Sequence, residues 1–177
     1  MNFFDVIFAK CLSASIGGNK YKSYFKSAIE GSSETIELPD DLTEIGDYAF
    51  YRYTNLSLAS LPSGVMSIGD YAFRGCDNFS LTSLPGELRR IGAGAFRGCS
   101  NLSLTKMPRY LHTILSEAFG DCTSLQTITF EHKMINFSDN AFTGCTNLTE
   151  INVPWNDGEV SGAPWGAANA QINYNVI

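Results

Sequence analysis

The chain has 177 residues, enough for one domain with a real core, and its 44% hydrophobic and 17% charged residues are those of a folded globular protein. A net charge of -6 at pH 7 and a pI near 4.8 argue against nucleic acid, which wants a basic footprint, and against an anionic membrane surface. No apolar run approaches the roughly 20 residues that a spanning helix needs.

Residues 1–20 form the first segment. Phe3, Phe4, Ile7, Phe8, Cys11 and Leu12 fall on one wide apolar stripe of a helix, with Asn2, Asp5 and Lys10 off it. Asp5 and Lys10, the missing basic start and the missing small-residue cleavage pattern argue against a secretory signal. A lone helix of about 12 residues is marginal in water, so the stripe must be covered. It is expected to pack on its own copies in a homo-oligomer, to dock on a larger particle, or to cap the fold that follows. Residues 14–20, with Gly17 and Gly18, read as a flexible joint. Over residues 21–37, Tyr21, Tyr24, Phe25, Ala28 and Ile29 keep helical spacing up to Gly31, which predicts an N-terminal cap.

From Leu38 the chain repeats every 23 residues, five times without an insertion, to residue 152. One apolar row is Leu38, Leu61, Leu84, Met107, Phe130 and Val153; a second is Ile45, Ile68, Ile91, Ile114, Phe137 and Val160. A third is Phe50, Phe73, Phe96, Phe119 and Phe142 with Trp165 in phase, and a fourth is Leu56, Phe79, Leu102, Leu125 and Leu148. Neither a helical nor a strand period survives across a whole unit. The pattern suits a coil whose turns all point the same residues inward onto their neighbours. Pro39, Pro62, Pro85, Pro108 and Pro154 are expected to end strands, and Gly46, Gly69, Gly92, Gly75, Gly98 and Gly144 to mark tight bends. Asn55, Asn78, Asn101 and Asn147 are expected to cap turn backbone with their amides. Residues 153–177, with Trp155 and Trp165, would cover the last turn as a C-terminal cap.

The unit LP-x-x-L-x-x-IG-x-x-AF-x-x-C-x-x-L resembles the bacterial BspA-like leucine-rich repeat over roughly residues 35 to 165. That resemblance implies a solenoid with one short parallel strand per turn, at L-x-x-I-x-LP, and turns or short helical bends opposite. Ile128 and Ile151 match the strand pattern, whereas Leu58, Leu81 and Leu104 come one position early and predict a bulge or shift. The head and the tail also resemble small repeat proteins of phages and prophages of gut bacteria.

Few residues suggest chemistry. Cys76, Cys99, Cys122 and Cys145 share one slot, with Tyr53 taking it in the first copy. No C-x-x-C spacing offers a metal site. Turns about 4.8 Å apart do not suit a disulfide, whose Cβ atoms want about 3.8 Å. A ladder of small buried residues follows. Two histidines, His112 and His132, support no catalytic triad by spacing, so no enzyme, cofactor or metal is expected. Asp47 with Asp70, and Arg74 with Arg97, offer a grip on a cation or a phosphate but read first as solvated rows; Tyr48 over Tyr71 offers a sugar platform but reads first as a shield for the core edge.

The outward side of the pre-proline segment is the candidate binding strip: Ser57, Ser60, Ser80, Ser83, Ser103, Lys106, Gln126, Thr129, Thr149 and Asn152. It is hydroxyl-rich and lacks the aromatic anchors of strong protein hot spots, which favours weak, multivalent binding. The expected function is a non-enzymatic binding or adhesion module for protein or glycan, on a surface or on a phage-like particle. An extracellular, cell-surface or virion setting follows from the resemblance, with a cytoplasmic one as the alternative. The competing function is a structural spacer or decoration protein with no ligand.

Overall fold

A computed structural model describes residue 38, residues 40–133 and residues 136–176. The apolar stripe of residues 1–14, the joint and the expected cap at 21–37 lie outside the described residues. The rest is a parallel solenoid. Its strands are β1 (Glu44–Ile45), β2 (Ser67–Ile68), β3 (Arg90–Ile91), β4 (Thr113–Ile114), β5 (Thr127–Thr129), β6 (Asn136–Phe137), β7 (Glu150–Asn152) and β8 (Gln171–Asn173). One parallel sheet runs β1-β2-β3-β4-β6, and a second runs β5-β7-β8.

The 23-residue period is the register of the first sheet. Ile45 pairs with Ile68, Ile68 with Ile91, Ile91 with Ile114 and Ile114 with Phe137. Each isoleucine points inward with no exposed surface, while its predecessor points out. The coil thus has one short strand per turn as expected, but this strand lies at the Ile row rather than before proline. The pre-proline strand forms only in the last turns, where Ile128 pairs with Ile151 and Ile151 with Ile172. In the first three copies Leu58, Leu81 and Leu104 are the buried residues, one position early, and no ladder forms there beyond the single bridge Lys106–Thr129.

The core is a set of rings stacked along the axis. Phe50, Phe73, Phe96, Phe119 and Phe142 lie face to face, with successive centroids 5.1, 5.4, 5.4 and 5.3 Å apart. Burying an aromatic ring there stabilises by about 2–3 kcal/mol, before the added gain of the stack. A further buried row is Leu42, Val65, Leu88 and Leu111. Trp165 departs from its expected place. The Phe119 N–H donates to Ala141 O, but the Phe142 N–H donates to Trp165 O, so Trp165 takes the alanine position of its turn. Its ring stacks instead on Phe137 at 4.3 Å and meets Trp155 at 6.3 Å. Both indoles are buried over the last turn.

The edge beyond the strand is a string of tight turns. The Ala49 N–H donates to Gly46 O, Tyr51 N–H to Tyr48 O, and Tyr53 N–H to Phe50 O. Between them, the N–H groups of Tyr48, Phe50 and Arg52 donate to Asp70, Ala72 and Arg74 carbonyls of the next turn. This interleaving needs left-handed backbone at two slots. One holds Tyr48, Tyr71, Gly94 and Glu117, and the other Arg52, Gly75, Gly98, Asp121 and Gly144.

Gly69 and Gly92 work differently from Gly75 and Gly98. A Cβ on Gly92 would sit 2.6 Å from Asp70 N and 2.4 Å from its Oδ1, so this slot allows close approach of turns rather than a bend. The bonds Gly69 N–H to Ile45 O and Gly92 N–H to Ile68 O measure 2.7 and 2.8 Å. Where the slot holds Leu115 or Ser138 they lengthen to 3.1 and 3.0 Å.

Candidate interaction surfaces

The slots that carry reactive side chains are spent on the scaffold. Each repeat cysteine is a free, buried thiol that donates to a phenylalanine carbonyl of the preceding turn. Cys99 Sγ reaches Phe73 O at 3.1 Å, and that oxygen also accepts the Cys76 N–H at 3.1 Å. Burial pushes the Cys99 and Cys145 thiols up to about 12 from 9.0, and raises Cys122 as well. Cys76 is raised by burial first and by the neighbouring Cys99 second. A protonated, hydrogen-bonded thiol in an apolar stack is a poor nucleophile. Tyr53, in the same slot of the first copy, is likewise raised to about 12 by burial and by Cys76.

The acidic row is also structural, which corrects the reading of it as a solvated face. Asp47 Oδ1 accepts the Asp70 N–H at 2.7 Å, and Asp70 Oδ1 accepts the Ala93 N–H at 2.9 Å. Arg90 donates to Asp70 at 3.1 Å. Arg97 is held by Glu117 and, at 3.2 Å, by Asp121, whereas Arg74 is not part of that network. Of the asparagines expected to cap turns, Asn147 does so, donating to Thr123 O at 2.8 Å; Asn55, Asn78 and Asn101 form no side-chain bond among the described residues.

The candidate strip occupies two slots of successive turns. Ser57, Ser60, Ser80, Ser83, Ser103, Lys106, Gln126 and Thr149 are exposed, and Thr129 and Asn152 are half-buried. Its two halves differ. Asn152 donates to Thr129 Oγ1 at 3.3 Å, Asn173 to Asn152 Oδ1 at 2.8 Å, and Thr149 to Gln126 O at 3.4 Å. Lys106 faces Glu131 at 3.6 Å. The five serines make no side-chain hydrogen bond among the described residues. The polar capacity of the strip thus lies in its serine half.

The Tyr48–Tyr71 pair, expected as a shield for the core edge, belongs to a larger aromatic turn edge that also takes in Tyr51, Arg52 and Arg74. Tyr48 packs on Tyr71 at 5.1 Å and edge-on to Tyr51 at 5.7 Å. Arg52 lies over Tyr51 at 5.5 Å, and Arg74 over Tyr51 and Tyr71 at 6.0 and 5.5 Å. The signal was present as Tyr48 and Tyr71 in one slot, but the arginines join them from two other slots. Among the described residues no cluster of histidine, cysteine and carboxylate groups could hold a metal. Nor is any helix there long and apolar enough to cross a membrane.

The profile of the BspA type leucine rich repeat region, in six copies, matches residues 21–149. The chain belongs to the BspA-type leucine-rich repeat family. The match takes in residues 21–37, which the sequence reading set apart as a cap. Two solved structures are similar. A leucine-rich repeat protein from Bacteroides ovatus is 30% identical, with a TM-score of 0.55, over 67% of this chain and 31% of its own. The T. pallidum leucine-rich repeat protein is 29% identical, with a TM-score of 0.57, over 82% of this chain and 67% of its own. The chain therefore spans about a third of the Bacteroides ovatus protein's length. No curated protein matches significantly. BspA-type and other leucine-rich repeat proteins are in general non-enzymatic protein-interaction scaffolds, and this family is often extracellular or surface-associated.

Proposed function

We propose that this chain is a non-catalytic recognition module that engages a protein or glycan on a surface or as part of a phage-like particle. The observation that carries the reading is the division of labour within each turn. Cysteines and phenylalanines are spent inside the coil and the aspartates on capping the next turn, while the same outward slots return every 23 residues on a rigid stack. Such an array presents repeated, weak contacts in fixed register, which suits multivalent binding. The contact strip in this reading is centred on Ser57, Ser60, Ser80, Ser83 and Ser103, with Lys106, Gln126, Thr129, Thr149 and Asn152 extending it. The partner fits a binding mode without nucleic acid, since the chain is acidic.

Multivalency would come from residues 1–14. Phe3, Phe4, Ile7, Phe8 and Leu12 form the stripe that self-associates or docks on a particle in this reading. Deleting residues 1–17 and measuring mass in solution tests it: a fall to a lower oligomer is expected. An unchanged monomeric mass with a large fall in melting temperature would instead make the stripe a cap.

Binding itself is tested on immobilised panels of surface proteins and glycans. The full chain is expected to bind at least one class, and Ser57→Lys with Ser80→Lys and Ser103→Lys to weaken that binding at least tenfold. Absence of any ligand would favour the spacer, a reading supported by the self-paired Thr129–Asn152–Asn173 row.

A further inference from the structure

All six arginines of the chain lie between residues 52 and 109, and none falls in the two slots of the serine strip. Three of them, Arg52, Arg74 and Arg97, are on the turn edge. Arg97 is neutralised by Glu117 and Asp121. Among the described residues, Arg52 and Arg74 have no carboxylate partner. They rest on tyrosine rings instead, in a chain whose acids outnumber its bases by 18 to 12.

The backbone gives a second, independent observation. Tyr48, Tyr71 and Arg52 have φ of 57, 56 and 60 degrees. Their slots hold Gly94 in the third turn and Gly75, Gly98 and Gly144 in others. A bulky residue in left-handed backbone crowds its Cβ against the following carbonyl, a strain that glycine avoids. Three of the five cluster residues therefore sit where this fold readily takes glycine, at the expense of stability. Where a later turn keeps a side chain in these slots, Glu117 and Asp121, that side chain holds Arg97, so a side chain kept in left-handed backbone here points to a use for it.

We infer that Tyr48, Tyr51, Tyr71, Arg52 and Arg74 form a docking surface for an acidic segment of a partner protein. The inference rests on the recognition reading above and assigns it a second surface. A neutral sugar stacks on an open ring face, whereas each of these rings already has a neighbouring tyrosine or a guanidinium against it. A guanidinium laid on a ring keeps its in-plane N–H fork free, and that fork matches a carboxylate in bidentate fashion. Tyrosine and arginine are also the side chains that dominate protein hot spots. The nearby acids, Asp47 and Asp70, are held by backbone N–H groups of the next turn. The net charge of -6 repels an acidic partner at long range. With a screening length of about 8 Å at physiological salt, contact charges decide the outcome.

The probe is a fluorescent 12-residue glutamate-rich peptide, titrated against the full chain by polarisation, with a glutamine counterpart and a sulfated oligosaccharide alongside. The glutamate peptide is expected to bind, and the glutamine peptide not. Arg52→Ala with Arg74→Ala should weaken binding at least tenfold, and Arg52→Lys with Arg74→Lys about fivefold, since lysine keeps charge but loses the fork. Lys133→Ala, a cation paired with Glu159 outside both surfaces, should leave binding unchanged. Unchanged circular dichroism and melting temperature of the alanine pair would show that the fold is intact. No glutamate-peptide binding, equal binding by the alanine pair, or arginine-dependent binding of the sulfated oligosaccharide alone would overturn the inference. If a panel ligand binds the full chain and the arginine variants alike, the recognition reading stands and this surface falls.

Discussion

Replacing Cys99 by serine should flatten the alkaline limb of the protein's stability curve. The Cys99 thiol is fully buried, donates to Phe73 O at 3.1 Å and is pushed up to about 12 by burial. In the unfolded chain it ionises near its ordinary 9.0. Between those values the unfolded state releases a proton that the folded state keeps. The stabilisation is complete below about pH 8 and is lost as pH rises from 9 toward 12. At pH 10 the unfolded thiol is roughly ten-elevenths ionised, which costs about 1.4 kcal/mol of stability for this one group. Cys76, Cys122 and Cys145 add in the same direction. A serine hydroxyl can still donate to Phe73 O but does not titrate here. Its poorer fit costs about 1 kcal/mol at every pH. Urea unfolding under a phosphine reductant, followed by the fluorescence of the buried Trp155 and Trp165, gives the stability at each pH. Cys99→Ser should be the less stable protein at pH 7 and should gain about 1.4 kcal/mol relative to wild type by pH 10. A gap that stays constant from pH 7 to 10 would refute a buried, protonated thiol.

The phenylalanine stack should carry much of the remaining stability. Phe96→Ala removes a ring held on both sides by Phe73 and Phe119 and should cost about 3–5 kcal/mol by urea titration. Phe50→Ala, nearer the end of the stack, should cost less, and equal small losses would show that the row is not core. Gly92→Ala forces a Cβ to 2.6 Å from Asp70 N and should cost about 2–3 kcal/mol, moderated by the few tenths of an ångström that Leu115 shows a turn can yield. Gly98→Ala has room, 3.7 Å to Gly75, and should cost only about 1 kcal/mol for its φ of 75 degrees; a reversed order would refute the distinction between the two glycine slots. Glu117→Gln should cost under about 1 kcal/mol, and the loss should vanish at 1 M salt, because the pair with Arg97 is one-third exposed.

The coil, its period and most of its buried rows were legible without coordinates, because repetition within one chain exposes which slots are apolar. A residue type that returns every 23 positions in a solenoid meets its own copies, so Ile45, Phe96 and Leu102 could be placed inside from spacing alone. The early placement of Leu58, Leu81 and Leu104 likewise marked the segment where no continuous ladder forms. What spacing could not decide is everything set by contacts between turns. The Ile row, not the pre-proline segment, carries the continuous sheet, because backbone hydrogen bonds go where successive turns come into register. Trp165 repeats the phenylalanine spacing but occupies the alanine position. The last turn advances 21 residues between Ile151 and Ile172, and its local path no longer follows the period. The cysteines looked like inert filler, yet each thiol is aimed at a carbonyl 26 residues earlier, a partner outside its own slot. The aspartates that cap the next turn and the arginines that settle on tyrosines follow the same logic. Side-chain direction depends on left-handed residues such as Tyr48 and Arg52, and that geometry exists only once the turns are stacked.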